Sequence, residues 1–454
     1  MLQKTMSKLN VFFVSLGCDK NLVDSERMLG LLNAEGYALT DDETEAEVIV
    51  VNSCCFIGDA KEESINTILD LARYKDGGIC KYLIVTGCLA ERYREEVLTE
   101  MPEIDAIIGT ASYDTIVDVI RELEAGHGRQ ERMNSMDGLP RVEANRLVTT
   151  GGHYAFLKIA EGCDKHCTYC VIPSVRGRYR SVPMEELVAE AKILAAQGVK
   201  ELILVAQETT LYGLDLYGKK SLPELLRRLS EIPSIVWIRI QYCYPEEITD
   251  ELIAAIRDLP KVCHYLDIPI QHASDRILRR MGRRTTRAHL EEIIGKLREQ
   301  IPDIALRTTL ITGFPGETEE DHEELMEFVD AMEFDRLGVF TYSQEEGTPA
   351  AIMDDQVDEE LKLTRRDEVM ELQQEIAFEK AERHVGRSML VMVEGNVTDG
   401  DAYVARTYMD APNVDGYLFI QTDENLMTGD FVNVKVTGAL EYDLIGEIDY
   451  EFTE

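Results

Sequence analysis

Three cysteines in the stretch EGCDKHCTYCVIP are spaced to hold a metal centre. Cys163, Cys167 and Cys170 are separated by three residues and then by two. The thiolate is a soft ligand that selects zinc or iron–sulfur clusters. Structural zinc sites and ordinary clusters use four protein ligands, but no fourth cysteine or histidine completes this set. A cluster of four irons held by three cysteines leaves one iron open to a small molecule, and such a cluster is one interpretation of this spacing. The alternative interpretations are a zinc knuckle and three cysteines that are close by chance.

Three more cysteines each end an apolar stretch typical of a strand. The segments VSLGC, VVNSC and IVTGC finish at Cys18, Cys54 and Cys88. In a parallel sheet the carboxyl ends of strands share one edge, where binding sites form. A single cysteine at such a point is usually a small buried hydrophobe, but three at equivalent points favour a second cluster. Cys55 leaves the identity of the middle ligand ambiguous.

The elements that position these cysteines are predicted to form an α/β protein. Residues 9–125 alternate short apolar strands with helical patterns, which is typical of a parallel sheet, and residues 126–148 are interpreted as a linker. Residues 149–380 contain six further strands separated by amphipathic helices. Six is fewer than the eight of a closed barrel, so a partial (β/α)6 barrel is predicted. The trio at 163–170 directly follows its first strand, at the carboxyl end.

The C-terminal part follows a different pattern. Residues 362–385 are predicted to form a long helix that stops at Gly386. After it, residues 384–454 alternate with period two and contain turns. This pattern predicts a small five-stranded antiparallel β-barrel, similar in kind to an OB-fold.

The charge and the hydropathy of the chain restrict its partners. The 454 residues include 85 acidic and 47 basic ones, for a net charge of −38. Such a surface repels nucleic-acid phosphates and attracts cationic partners, although a salt-adapted host also explains an acidic surface. No apolar run approaches the length of a membrane span. A cytoplasmic protein is therefore expected, in which cysteines bind metal or act in catalysis rather than pair as disulfides.

The spacing of Cys163, Cys167 and Cys170 resembles that of the radical S-adenosylmethionine (SAM) superfamily. The resemblance implies that the open iron is chelated by the amino and carboxylate groups of SAM. Tyr169 matches an aromatic position of the family near the adenine. The stretch LITGFPGETEED also matches, and in the family this segment, with Ile311 and Gly313, lies along the adenine.

Almost the whole chain resembles the methylthiotransferases. The stretches GCDKNLVDSE, NSCCFI and TGCLAER carry the resemblance, and the pattern of the middle stretch matches Cys54 rather than Cys55. It implies an N-terminal cluster domain, a radical SAM domain and a C-terminal TRAM domain. It also implies two four-iron clusters: an auxiliary cluster presents a sulfur that one SAM methylates, and the other cluster cleaves a second SAM to a 5′-deoxyadenosyl radical.

The resemblance implies further cofactors, partners and site residues. An external electron donor such as flavodoxin or ferredoxin is expected, and no side chain is assigned a catalytic role because the cofactors carry the chemistry. Four side chains match family positions and are expected near the cofactor cavity: Gln207, Gln271, Ser274 and Arg283.

Local features favour the protein-modifying branch of this family, which acts on an aspartate of the small-subunit ribosomal protein uS12. The stretches RIQYCYPEEITDEL and HYLDIPIQHASDRILRRMGR are similar to this branch, and Glu345 and Glu346 stand where tRNA-modifying members usually carry an arginine. Val182 is a departure, because an arginine is common there. The expected partner is uS12 or the small ribosomal subunit, and tRNA is disfavoured. Two alternatives stay open: a methylthiotransferase acting on a modified adenosine of tRNA near the anticodon, and a non-catalytic iron–sulfur or zinc protein whose barrel binds RNA.

Overall fold

The computed structural model describes residues 8–140, 146–397 and 402–450. The chain divides into two compact units, and each is built from more than one segment. The first comprises Met1–Thr149, Ala160–Val182 and Ser343–Thr348, as far as these are described. The second comprises Thr150–Ile159, Pro183–Tyr342 and Pro349–Glu454. None of the helices in the described ranges is long and apolar enough to cross a membrane.

The first unit contains a six-stranded sheet in which every pair of neighbours is parallel. Its strands are Asn10–Ser15, Ala38–Thr40, Val48–Ser53, Tyr82–Gly87, Ala106–Ile108 and Gln130–Arg132. They lie in chain order, except that the first two are exchanged. Its helices are Asp19–Ala34, Gly58–Gly77, Cys88–Arg92, Arg94–Glu100 and Ile116–Glu124. Apolar side chains pack on both faces of the sheet, so the central strands carry continuous apolar runs rather than alternating ones.

Two further short pieces belong to the first unit. The sixth strand, Gln130–Arg132, lies within the segment interpreted as a linker and pairs with Ala106–Ile108. The sequence did not predict it because its three polar residues carry no apolar pattern. The segment 160–182 forms two short antiparallel strands, Ala160–Glu161 and Arg180–Ser181, and the helix Ile172–Arg176 between them.

The second unit contains the six parallel strands that the sequence predicted, arranged in chain order across one open sheet. They are Tyr154–Lys158, Glu201–Val205, Trp237–Ile240, Val262–Asp267, Ala305–Thr312 and Arg336–Thr341. The connecting helices are Met184–Ala196, Leu214–Tyr217, Leu222–Ser230, Asp250–Asp258, Asp275–Arg280, Arg287–Gln300 and Glu319–Met332. The prediction of a partial rather than a closed barrel is confirmed.

The C-terminal part of the second unit is a long helix followed by a closed five-stranded barrel, as predicted. The helix is Glu359–Glu382, and the strands are Ser388–Asn396, Ala402–Thr407, Leu418–Gln421, Phe431–Leu440 and Asp443–Ile448. One pair differs from the predicted antiparallel arrangement, because Leu418–Gln421 and Asp443–Ile448 run parallel. A further strand separates these two along the chain, so the second of them returns in the direction of the first.

A buried ion-pair network joins the C-terminal barrel to the sheet within the second unit. Arg406 is fully buried and contacts Glu201 Oε2 and Glu394 Oε1, both at 2.7 Å. Arg239 Nε donates to the other oxygen of Glu201 at 2.8 Å. Burial alone would raise the pKa of Glu201, but the two arginines lower it overall. Since Glu201 opens its strand, the barrel is attached at the amino-terminal ends of the strands, away from the ends that carry the predicted site residues.

Replacing Arg406 by methionine is expected to destabilise the second unit strongly. The change leaves the buried carboxylate of Glu201 with one arginine instead of two and leaves Glu394 with only His153 as a partner. Breaking a buried ion pair from one side costs about 3–5 kcal/mol. Arg387, an exposed arginine of the same barrel, provides the control as Arg387→Met. Urea unfolding at neutral pH measures the difference, and equal midpoints for the two variants would refute a stabilising role of the network.

Candidate functional site

The three strand-end cysteines of the first unit lie at one edge of its sheet. Cys18, Cys54 and Cys88 follow the neighbouring parallel strands Asn10–Ser15, Val48–Ser53 and Tyr82–Gly87. Cys18 is exposed, and the other two are buried. The sequence prediction that these strand ends are adjacent is therefore confirmed, since the three strands are consecutive in the sheet.

A glycine allows two of these cysteine loops to approach each other. Gly17 has a φ of +86°, and a β-carbon added to it would lie 2.6 Å from the Cβ and 2.8 Å from the Sγ of Cys54. Real side chains do not tolerate such contacts, so any residue larger than glycine would push the Cys18 loop away from Cys54. The glycine before Cys18 is thus required by the close packing of the two loops.

The electrostatics of this edge suit a positively charged centre. Burial, together with the neighbouring Cys88 and Cys18, raises the pKa of the Cys54 thiol to about 12. Burial also raises the pKa of Cys88, although Arg176 opposes the shift. Two thiols that resist ionisation, those of Cys54 and Cys88, become ligands when a metal centre compensates their charge. The donor set therefore fits an iron–sulfur cluster.

The ambiguity between Cys54 and Cys55 is addressed by their surroundings. The Cys54 sulfur faces the loop that carries Cys18, as its distance to Gly17 indicates. Cys55 is fully buried in an apolar cluster with Ile68 and Leu83. Because Cys88 belongs to the same apolar cluster, it is the approach of the Cys54 sulfur to the Cys18 loop that supports Cys54 as the ligand.

The second trio lies in the hairpin-like segment 160–182 of the same unit. The Cys163 amide donates to the Gly177 carbonyl at 3.1 Å, and the Cys170 amide donates to the Cys167 carbonyl at 3.0 Å. Cys163 and Cys167 are buried, whereas Cys170 is half-buried. Tyr169 is also half-buried. The backbone is therefore folded back on itself around the three cysteines.

Within the described ranges, no three His, Cys, Asp or Glu side chains are grouped so as to hold a metal ion. A four-iron cluster has a different requirement, because each of its cysteines binds a different iron atom.

The other predicted residues lie in the second unit, at or just beyond the carboxyl ends of its strands. Gln207 follows Glu201–Val205 by two residues, and Ile311 and Gly313 lie at the end of Ala305–Thr312. Gln271 adopts a φ of +73° and its backbone bonds to both Thr309 and Ile311. The Gln271 segment is thereby fixed beside the strand that carries Ile311.

Gly313 has a neighbour that the sequence did not predict. Its φ is +70°, and an added β-carbon would lie 2.1 Å from Cγ of the buried Lys362. The Lys362 ammonium in turn donates to the Tyr342 carbonyl at 3.1 Å. Glycine at this position is therefore required for packing of the long helix, whatever ligand the segment binds.

Ser274 and Arg283 make contacts that hold their own loop. The Ser274 hydroxyl donates to Asp321 Oδ1 at 2.7 Å. Arg283 donates to the Pro269 carbonyl at 2.8 Å, and its guanidinium lies 4.3 Å from the centre of the Tyr244 ring. Both side chains are nearly buried. Their assignment to the cofactor site stays a prediction.

Three family models match separate parts of the chain. Residues 157–329 match the radical SAM superfamily, residues 10–109 match the uncharacterized protein family UPF0004, and residues 385–448 match the TRAM domain.

Two relatives that match almost the whole chain carry the same name. The chain is 65% identical over 438 residues to the ribosomal protein uS12 methylthiotransferase RimO of Lachnoclostridium phytofermentans, covering 96% of this chain and 99% of the relative. It is 52% identical to the protein of the same name from Acetivibrio thermocellus, covering 97% and 98%. The chain belongs to the RimO family. The resemblance to methylthiotransferases noted in the sequence is confirmed.

Among solved structures, the radical S-adenosylmethionine methyltransferase TsrM of Kitasatospora setae, with cobalamin and a [4Fe-4S] cluster bound, has a similar fold. The TM-score is 0.56 at 15% identity, covering 76% of this chain and 74% of TsrM. At this identity the likeness concerns the fold alone.

The structure shows the contacts of Glu345, which the sequence analysis noted only because tRNA-modifying members usually carry an arginine there. Its side chain is buried and pairs with Arg92 at 3.0 Å within the first unit. Arg92 also donates to the Cys55 carbonyl at 3.1 Å and to the Glu346 carbonyl at 2.7 Å. In this chain Glu345 therefore supports the loop that carries Cys54, a role that the sequence pattern did not suggest.

Two polar residues that the sequence analysis missed also lie beside the first cysteine trio. Asn21 is fully buried in the helix Asp19–Ala34, and Arg176 is buried at the end of Ile172–Arg176. Asn21 stands in the stretch GCDKNLVDSE, whose polar residues were visible, but their burial was not.

Proposed function

We propose that this chain is a radical SAM methylthiotransferase that adds a methylthio group to the β-carbon of an aspartate in ribosomal protein uS12. The observation that carries the proposal is the full-length similarity to relatives named for this activity. A cytoplasmic location accords with a ribosomal substrate. The domain limits that we propose are 9–125 for the cluster domain, 149–380 for the radical SAM core and 384–454 for the TRAM domain.

The proposal assigns two four-iron clusters to the first unit. Cys163, Cys167 and Cys170 hold the cluster that SAM chelates, and the strand-end trio Cys18, Cys54 and Cys88 holds the auxiliary cluster. When bound, these groups supply a radical that removes hydrogen from an unactivated carbon and a sulfur that replaces it. An external donor such as flavodoxin or ferredoxin supplies electrons.

The remaining assigned residues bind and orient SAM. We assign Tyr169, Ile311 and Gly313 to the adenine. Gln207, Gln271, Ser274 and Arg283 are assigned to the cavity, the last two by holding the loop 269–274 through contacts with Asp321 and Pro269. These residues offer polar and aromatic contacts rather than acid–base chemistry, which agrees with a radical reaction.

The charge of the C-terminal barrel supports a protein substrate over tRNA. From 385 to 454 the chain has 14 acidic and three basic residues, a net of −11. Of the three, Arg406 is buried in ion pairs within the second unit, which leaves Arg387 and Lys435 exposed. Barrels that bind RNA use positive grooves and stacking aromatics. Tyr408, one of the barrel aromatics, instead donates its hydroxyl to the Asp303 carbonyl at 2.8 Å.

The full-length protein is expected to bind uS12 with an affinity that falls as salt is added, and to show no measurable binding of tRNA at physiological salt. Ribosomal proteins are strongly basic, and complementary charge speeds encounter. Reversing exposed acidic residues of the barrel should slow the association with uS12. The triple change is Asp423→Lys, Glu441→Lys and Glu447→Lys. Stopped-flow association with labelled uS12 measures the rate.

A matched triple charge reversal on the first unit separates the effect of the barrel's charge from the effect of the protein's overall charge. The exposed residues for this control are Glu62, Glu63 and Glu96. If only total acidity matters, both variants lose the same fraction of the association rate. Tight binding of tRNA by the unmodified enzyme, without binding of uS12, would favour the tRNA-modifying alternative and contradict the proposal.

A further inference from the structure

The buried Asn21 ties together the loops of the first cysteine trio. Its Nδ2 donates to the Leu16 carbonyl at 3.0 Å and to the Ser53 carbonyl at 2.9 Å. These carbonyls stand two residues before Cys18 and one residue before Cys54. The Cys88 Sγ lies 3.9 Å from Asn21 Oδ1. One side-chain amide therefore contacts all three cysteine-bearing segments.

Arg176 fixes the orientation of that amide. Its Nη2 donates to Asn21 Oδ1, so that Nδ2 is left to face the two carbonyls. The other side of the guanidinium contacts Asp24 Oδ2 at 2.7 Å and Glu161 Oε2 at 3.2 Å. The planar fork of arginine suits three partners at once, which the ammonium of lysine does not reproduce. Arg176 is only 2% exposed, so water cannot replace these bonds.

The same residue is connected to the second trio. Glu161 precedes Cys163 by two residues, and the Cys163 amide bonds to the carbonyl of Gly177, the residue after Arg176. Arg176 thus belongs to the segment that carries Cys163, Cys167 and Cys170, while its side chain holds Asn21, which contacts the loops of the other three cysteines.

We propose that Arg176 is a positioning residue for the auxiliary cluster, acting through Asn21 to hold the loops of Cys18, Cys54 and Cys88 in the geometry that binds it. The inference rests on the proposed function, in which these cysteines hold that cluster. Hydrogen-bonding partners that orient metal ligands typically contribute about 10- to 100-fold to metal affinity. Loss of the arginine fork should therefore weaken the auxiliary cluster without removing its ligands.

The test uses the full chain with Cys163, Cys167 and Cys170 replaced by alanine, so that the auxiliary cluster is the only one expected. In this parent, Arg176→Lys keeps the buried positive charge but loses the planar guanidinium that bonds to three partners. After anaerobic reconstitution we expect iron loss to a chelator to be roughly 10-fold faster, with a changed electron paramagnetic resonance spectrum of the reduced cluster. Asn21→Ala should behave in the same way, and the double variant should be no worse than Asn21→Ala.

Arg27→Lys is the control. Arg27 lies on the same helix as Asn21, but it donates to the Tyr113 hydroxyl at 2.9 Å. A parent that binds no iron would overturn the auxiliary site itself. A parent that binds the cluster, with an Arg176→Lys variant of unchanged iron retention and spectrum, would overturn only the role of Arg176. Equal weakening by Arg27→Lys, or additive effects of the Asn21 and Arg176 changes, would also overturn it.

Discussion

Replacing Cys163, Cys167 and Cys170 by alanine is expected to remove one of two clusters and to abolish the cleavage of SAM to 5′-deoxyadenosine. A cluster held by three cysteines needs each of them, and without the cluster SAM has neither its chelating iron nor its source of electrons. Iron and sulfide per chain after anaerobic reconstitution, together with chromatography of 5′-deoxyadenosine, measure the two effects.

The loss of SAM cleavage counts as evidence only if the first unit of the triple variant stays folded. The first unit contains Cys18, Cys54 and Cys88 as well, so the cluster that remains in the triple variant reports on the folding of that unit. Cleavage of SAM by the triple variant at the rate of the unmodified enzyme would show that the trio at 163–170 has been assigned wrongly.

The second large effect is expected at the other trio. Cys18→Ala, Cys54→Ala and Cys88→Ala should each eliminate methylthiolation but spare part of the SAM cleavage, because sulfur delivery is lost while the radical source survives. Comparison of 5′-deoxyadenosine with methylthiolated product in the same reaction separates the two activities.

Cys55→Ala is the matched control for this series, since Cys55 is adjacent in sequence but packs in the apolar cluster. Loss of its buried sulfur is expected to cost about 1 kcal/mol of stability and to leave most of the product. A severe defect in Cys55→Ala combined with a harmless Cys54→Ala would reverse the assignment of the middle ligand.

Much of the fold was predictable because it follows from local patterns of apolar and polar residues. The strand Val48–Ser53 is buried along its whole length, and the continuous apolar run of its first four residues is typical of a parallel sheet covered on both faces. The adjacency of Cys54 and Cys88 then follows, because their strands pair directly. The six cysteines were accessible to sequence reasoning for the same reason, since each stands at a recognisable point of a βα unit.

The polar partners of the site were not predictable, because they depend on contacts between distant segments. Arg176 meets Asn21 across 155 residues, and Arg92 meets Glu345 across 253. Nothing in either local sequence marks these side chains as buried. Glu345 illustrates the consequence, since the sequence pattern gave it no structural contacts, whereas in the structure it pairs with Arg92 beside the loop that carries Cys54.

The strand Gln130–Arg132 and the grouping of 160–182 with the first unit escaped prediction for a related reason. A three-residue polar strand at the edge of a sheet has too short a pattern to be recognised. Segments that leave one compact unit and join another cannot be located by boundaries drawn along the chain.

The most direct test of the central claim is mass spectrometry of uS12 from cells that contain or lack this enzyme, with tRNA from the same cells digested and examined in parallel. The proposed function predicts a methylthio group on one aspartate of uS12 that disappears with the gene, while the tRNA nucleosides stay unchanged. Unmodified uS12 in both cells, together with a methylthioadenosine that disappears with the gene, would contradict it.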